Sequence, residues 1–235
     1  MRESPDDRRI TRRQNRGLKH ILLKLAIAVG FLSSSSPVDA DILSFSYTLD
    51  SAGNAQITGC IPVKANHACN SRQLSIPSEV DGHQVTSIGD WAVSGRGDYD
   101  PESQNLLSVS LPSSVVSIGY AAFAYNSLTG VILDKNVQSV GDYAFLGNQI
   151  KTLLIPKSVI KIGDGAFNFC SNLTVITIGS GLESIGQDVF YLCDSLVTID
   201  VSLGNSSFSS LEGILFNKAH STLLAYPAGK VGEYS

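Results

Sequence analysis

The stretch "LTVITIGSGLESIGQDVFYLCDS", Leu173 to Ser195, carries the whole design in 23 residues. Leu173, Ile176 and Ile178 point one way, the last two alternating as a strand requires. Gly179 turns the chain, a second short extended piece follows, and Gly186 precedes Phe190 by four residues. The same stations recur upstream. Phe123, Phe145, Phe167 and Phe190 are spaced 22, 22 and 23, and Gly119, Gly141, Gly163 and Gly186 keep the same steps. Leu106, Leu128, Ile150, Leu173 and Leu196 open successive units in phase with them. A looser copy, "LSIPSEVDGHQVTSIGDWAV", precedes the regular ones and places Trp91 near the aromatic station. One such coil buries too little to stand alone. Stacked at a strand spacing of about 4.8 Å, the coils share hydrogen bonds and align their Phe, Ile and Leu into ladders. The period therefore predicts a solenoid.

The outline of each coil follows from its residues. Val115 and Ile118, or Val159 and Ile162, face inward on the second extended piece. The Gly after it is expected to allow a tight corner, and "DYAF" or "DGAF" to form a helical turn whose Phe plugs the coil. Asp142 and Asp164 stand where an acid caps the N–H groups of such a turn. Three residues after each Phe come Asn126, Asn148, Cys170 and Cys193. Cys at that station reads as a small buried apolar filler, and Asn as a hydrogen-bonding partner for the turn of the next coil.

These units resemble the leucine-rich repeats of bacterial surface antigens, those of BspA-like proteins and the treponemal leucine-rich-repeat family. Their pattern is approximately "LxxIxIPxSVxxIGxxAFxxCxxL". The resemblance covers about residues 71–235, with a loose unit at 71–105, regular units at 106–195 and a wider unit at 196–235. It implies a leucine-rich-repeat solenoid, with strands on one face and loops, short extended segments and helical turns on the other. The segment "FSYTLDSAGNAQITGC" reads as two strands joined across Ser51-Ala52-Gly53-Asn54, and resembles the hairpin that opens such domains, here a cap at 41–70. The wider unit is where the family resumes with further repeats, so the chain is expected to be a truncated piece of a longer one. The resemblance also implies an exported protein engaged in adhesion to a protein or glycan.

Charge and the N-terminus support export independently. Residues 1–24 carry eight Lys or Arg against three acids, and residues 41–235 carry nine against seventeen. The acidic body excludes nucleic acid as an electrostatic partner. Residues 1–40 read as a signal peptide: a basic start, the apolar run "LAIAVGFL" (Leu25–Leu32), and Val38-Asp39-Ala40 before the expected cut. Counted from Ile21, the apolar run has twelve residues, interrupted by Lys24, where a membrane span wants about twenty. No span is expected after cleavage. The mature chain is placed in the periplasm, at the cell surface or outside the cell. In that oxidising space Cys60 and Cys69 are expected to form a disulfide around "IPVKANHA". A zinc site using His67 and His83 fits no known ligand spacing.

Catalytic motifs are missing. There is no G-x-x-x-x-G-K-[ST], H-E-x-x-H or G-x-S-x-G, so no enzyme activity and no cofactor are expected. Binding candidates are two. In the insertion "SGRGDYDPESQN", Arg96-Gly97-Asp98 is the tripeptide by which adhesive proteins engage integrins. The same stretch also reads as a plain solvated loop, and Asp98, Asp100 and Glu102 lack the Gly and distal Glu of a calcium loop. On the sheet face, the outward column is mostly small and hydroxylated, but Ile132 and Leu154 break it in adjacent coils, opposite one another across an expected strand pair. With Thr152, Thr177 and Lys151 as a polar rim, they form the expected centre of a binding patch, or a plain aliphatic pair. The second role weighed is a structural envelope component that self-associates through the open C-terminal edge.

Overall fold

The computed structural model describes residues 43–62, 72–95 and 106–231, all within the compact unit Val38–Ser235. Most coils contribute one strand to each of two faces, and neighbouring coils pair in parallel. On the first face Gln73–Ser75 pairs with Ser108–Ser110, and Thr152–Ile155, Val175–Ile178 and Thr198–Val201 pair in register. On the second face His83–Ile88, Ser117–Ile118, Ser139–Val140, Lys161–Ile162 and Ser184–Ile185 form one continuous ladder. The expected hairpin, Leu43–Leu49 with Ala55–Pro62, joins this second sheet: its inner strand lies parallel to His83–Ile88. Its turn is closed by the Asp50 carboxylate, which accepts from Ala52 N and Asn54 N at 2.9 Å each. At the other end Phe208–Leu211, Ile214–Asn217 and Leu223–Ala225 turn antiparallel.

The core is a set of ladders at the repeat period. Leu106, Leu128, Ile150, Leu173 and Leu196 are buried, as are Val115, Val137, Val159 and Leu182. Phe123, Phe145, Phe167 and Phe190 stack with centroids 5.4, 5.3 and 6.4 Å apart. Each buried ring contributes about 1.5–3 kcal/mol through burial, and stacking adds about 0.5–1.5 kcal/mol. The fold is thus the solenoid that the period predicts.

Four local expectations are corrected. No helix forms among the described residues; the "DYAF" segments are turns. Ala121, Tyr143 and Asp188, two before the Phe, and Tyr125, Phe169 and Leu192, two after, all have φ between 47° and 59°. A left-handed residue every fourth position breaks the helical bonding, and the N–H groups turn to the neighbouring coil instead. Ala121 N, Phe123 N and Tyr125 N donate to Asp142 O, Ala144 O and Leu146 O at 2.9, 2.8 and 2.6 Å. These inter-coil bonds offset the strain of the left-handed residues.

Secondly, the Gly four residues before each Phe has no positive φ, so its part in the corner is space rather than a left-handed turn. It is needed because the coils approach closely: a Cβ on Gly141 would sit 2.7 Å from the carbonyl carbon of Gly119. Thirdly, the acids cap across coils rather than within a turn. Asp142 Oδ1 accepts from Asp164 N at 2.9 Å, and Asp164 Oδ1 from Gln187 N at 2.8 Å. Asn126 and Asn148 likewise bond the preceding coil, not the next, through Val93 O and Phe123 O. Lastly, Trp91 is not at the aromatic station. Val93 donates to Ala122 O as Phe123 does to Ala144 O, so Val93 fills that place and Trp91 stands outside, 48% exposed.

Candidate functional site

On the first sheet face the strands set which side chains meet solvent. In Thr152–Ile155 the alternation buries Leu153 and Ile155 and exposes Thr152 and Leu154. Register places Leu154 beside Thr177 and Thr177 beside Asp200, with Thr152, Val175 and Thr198 as the parallel column. Leu154 is 63% exposed and Ile132 is 83% exposed. Such an apolar pair with hydroxyls around it is the kind of surface that a partner desolvates easily.

One part of the expected arrangement does not form. Residues 128–134 contain no strand, so Ile132 and Leu154 are not a cross-strand pair. Leu133 still points inward, and Thr129 N donates to Leu107 O while Lys151 N donates to Thr129 O. The coil stays tied to both neighbours while its middle leaves the sheet. Thr152–Ile155 consequently forms the edge of a three-stranded sheet.

The remaining candidates divide. Arg96, Gly97, Asp98, Asp100 and Glu102 lie outside the described residues, as do His67 and Cys69. Cys60 is disulfide-bonded, and Cys170 and Cys193 are free thiols buried in the core. Burial pushes the Cys170 thiol up to about 12 and Cys193 to about 11, so both stay neutral fillers. His83 holds the hairpin: its Nδ1 lies 2.8 Å from Gly53 O, and its ring packs 6.1 Å from Tyr47. Among the described residues no three His, Cys, Asp or Glu side chains gather as metal ligands would.

Six copies of the BspA-type leucine-rich-repeat region match residues 98–221. The chain belongs to the BspA-type leucine-rich-repeat family. Solved structures agree on the fold. The pneumococcal vaccine antigen PcpA is 24% identical with a TM-score of 0.60, over 81% of this chain and 56% of that one. A leucine-rich-repeat protein from Eubacterium ventriosum is 24% identical, TM-score 0.56, over 82% and 52%. TpLRR of T. pallidum is 23% identical, TM-score 0.56, over 71% of each chain. The chain therefore spans little more than half the length of the first two. No protein of curated function matches significantly.

Within this BspA-type scaffold one surface feature was not anticipated. Trp91, Tyr120 and Tyr143 run edge to face down the turn side, with centroids 5.4 and 5.7 Å apart. The signal was present in the sequence: Tyr120 occupies the station that Asp90, Asp142 and Asp164 hold in other coils. Tyr143 leans over the next coil, where a Cβ on Gly165 would strike its ring. The rings act as staples between coils.

Proposed function

We propose that this chain is an exported binding module whose first sheet face contacts a protein ligand, with Ile132 and Leu154 at the centre and Thr152, Thr177 and Lys151 at the rim. The observation carrying this reading is the exposure of two large aliphatic side chains at the same station of adjacent coils, on a face whose other outward positions are mostly Ser and Thr, with Val175 and Asp200 among them. Family membership supports a binding scaffold, and the basic and apolar start of the sequence supports export. Export brings with it the Cys60–Cys69 disulfide, leaving two thiols, Cys170 and Cys193, in the unreduced chain. Arg96-Gly97-Asp98 offers a second contact, for an integrin-type receptor.

The test is surface plasmon resonance of the mature protein over a panel of purified matrix and receptor proteins. Ile132→Ser with Leu154→Ser should weaken any interaction found by at least about tenfold, since each side chain buries about 1.5–3 kcal/mol of apolar surface. Unaltered affinity in the folded double variant would move the site off this face, and Asp98→Ala tests the tripeptide in the same assay. The competing role, self-association, draws on Leu211, Leu223 and Leu224, all exposed on the antiparallel end. Sedimentation separates the two: a binding module stays monomeric until its ligand is added.

A further inference from the structure

The coil 128–149 departs from its neighbours at a second place. At the corner between the first and second strands, the flanking coils read Pro112-Ser113-Ser114-Val115-Val116 and Pro156-Lys157-Ser158-Val159-Ile160. The coil between them reads Asp134-Lys135-Asn136-Val137-Gln138. Proline gives way to an acid, serine to an amide, and an outward aliphatic to glutamine. An open cleft of about 330 Å³ lies at this corner, lined by Ser113, Ser114, Val116, Lys135, Asn136, Gln138, Ser158 and Ile160. Its volume is at the small end of ligand pockets, about 300–1,000 Å³.

The lining has a definite chemistry. Asn136 Nδ2 donates to Ser113 O at 2.7 Å, which fixes the amide and leaves its oxygen as an acceptor. The Gln138 side chain makes no hydrogen bond to another described residue, so it brings a donor and an acceptor to the cleft. Above and below, Ser114 Oγ and Ser158 Oγ are buried without a partner. Val116 and the exposed Ile160 supply an apolar wall. Lys135 supplies charge, with Lys157 and Lys161 one coil on, in a body where acids outnumber bases. The acids of the neighbourhood are Asp134, with Oδ1 buried and unpartnered, and Glu183 one coil further.

We propose that this corner cleft is a subsite for a single acidic sugar ring, of the uronic or sialic acid kind, at the end of a glycan. Vicinal hydroxyls both give and take hydrogen bonds, as the exposed amides of Asn136 and Gln138 require. The C–H face of the ring covers Ile160, and its carboxylate meets Lys135. A bare inorganic anion would use the lysine and leave the amides and the apolar wall idle. The site does not depend on the first sheet face, so either can fail without the other.

The experiment is an amide-resonance titration of the whole mature chain with N-acetylneuraminic acid, glucuronic acid, galactose and inorganic sulfate, each alone. Acidic sugars should shift Ser114, Asn136, Gln138 and Ile160 together, with galactose binding about tenfold more weakly. Gln138→Ala and Lys135→Gln, both exposed and neutral to folding, should each weaken the acidic sugars about tenfold. The proposal is overturned if no sugar shifts these residues, if galactose or sulfate matches the acidic sugars, or if affinity survives the Gln138 and Lys135 changes.

Discussion

The corner that follows each Phe takes two forms, and they divide the solenoid. Two residues lead from Asn126 to Leu128 and from Asn148 to Ile150, but three lead from Cys170 to Leu173 and from Cys193 to Leu196. In the short corner a side chain does the bonding. Asn148 Nδ2 donates to Phe123 O and Phe145 O at 2.9 Å each, and its Oδ1 accepts from Leu128 N at 3.0 Å. Asn126 repeats the pattern with Val93 O, Phe123 O and Leu106 N. In the long corner the main chain closes on itself. Leu173 N donates to Cys170 O and Leu196 N to Cys193 O, both at 2.9 Å. The thiols keep only weak contacts, to Phe145 O at 3.6 Å and Phe167 O at 3.3 Å. Buried backbone groups must find partners either way. One added residue moves that task from side chain to backbone, and the station is then free for a small apolar filler.

The largest effect should come from the ladder that runs through both halves. Phe145 is sandwiched at 5.4 and 5.3 Å between two rings, whereas Phe190 has one ring neighbour at 6.4 Å and is 9% exposed. Phe145→Ala should destabilise by about 3–5 kcal/mol, the range for a buried ring leaving a cavity. Phe190→Ala should fall below it, near about 2 kcal/mol, because the site is looser and partly open. Urea unfolding reads both. Equal losses would mean that the two halves pack alike and that the difference in corners stops at the turn.

The corners themselves come next. Asn148→Ala removes the hydrogen bonds to Phe123 O and Phe145 O and leaves the buried Leu128 N without its acceptor, a loss of about 2–3 kcal/mol. Cys170→Ala gives up a weak contact and a little volume, about 1 kcal/mol. Asn148→Cys should behave like Asn148→Ala, since the short corner has no spare residue. A serine inserted after position 148 in that variant should recover part of the loss. If Asn148→Ala and Cys170→Ala prove equal, the side chain is not what closes the short corner.

Much of this was open to a reader of the sequence, for a physical reason. Gly141, Phe145 and Leu128 each answer to a contact repeated at every coil, so periodicity displays them. The register Thr152–Val175–Thr198 follows from the same period. What stayed hidden depends on backbone angles and on single departures. Nothing in "DYAF" announces a left-handed Tyr143, and local propensity favoured a helical turn there. The strand missing at 131–133 is one coil's exception, and stacking predicts only the rule. Gly89 plus four gives Val93, an aliphatic at a station that holds Phe in the regular coils, so Trp91 two residues earlier is left outside. At the corner cleft the departures Asp134, Asn136 and Gln138 are written in the sequence, but the cleft they line exists only once three coils are stacked.

The smallest effect is confined to alkaline pH and to the Cys half. Burial is the main cause that lifts Cys170 from its ordinary 9.0 to about 12 and Cys193 to about 11. Below about pH 8 both thiols are protonated in the folded and unfolded chain alike, and they contribute no pH dependence. Above 9 the unfolded thiols ionise while the buried ones hold their protons. The folded state then binds more protons, so stability falls as pH rises, until the folded thiols titrate near 11 and 12. Every other ionisable group is common to a variant carrying Cys170→Ala and Cys193→Ala. The difference between the two urea profiles isolates the thiols. The double variant should start less stable at neutral pH and lose less as the solution is made alkaline, so that the curves converge. The Asn corners hold no ionisable group and should add nothing to this convergence; curves that stay parallel would show that the thiols reach solvent in the folded chain.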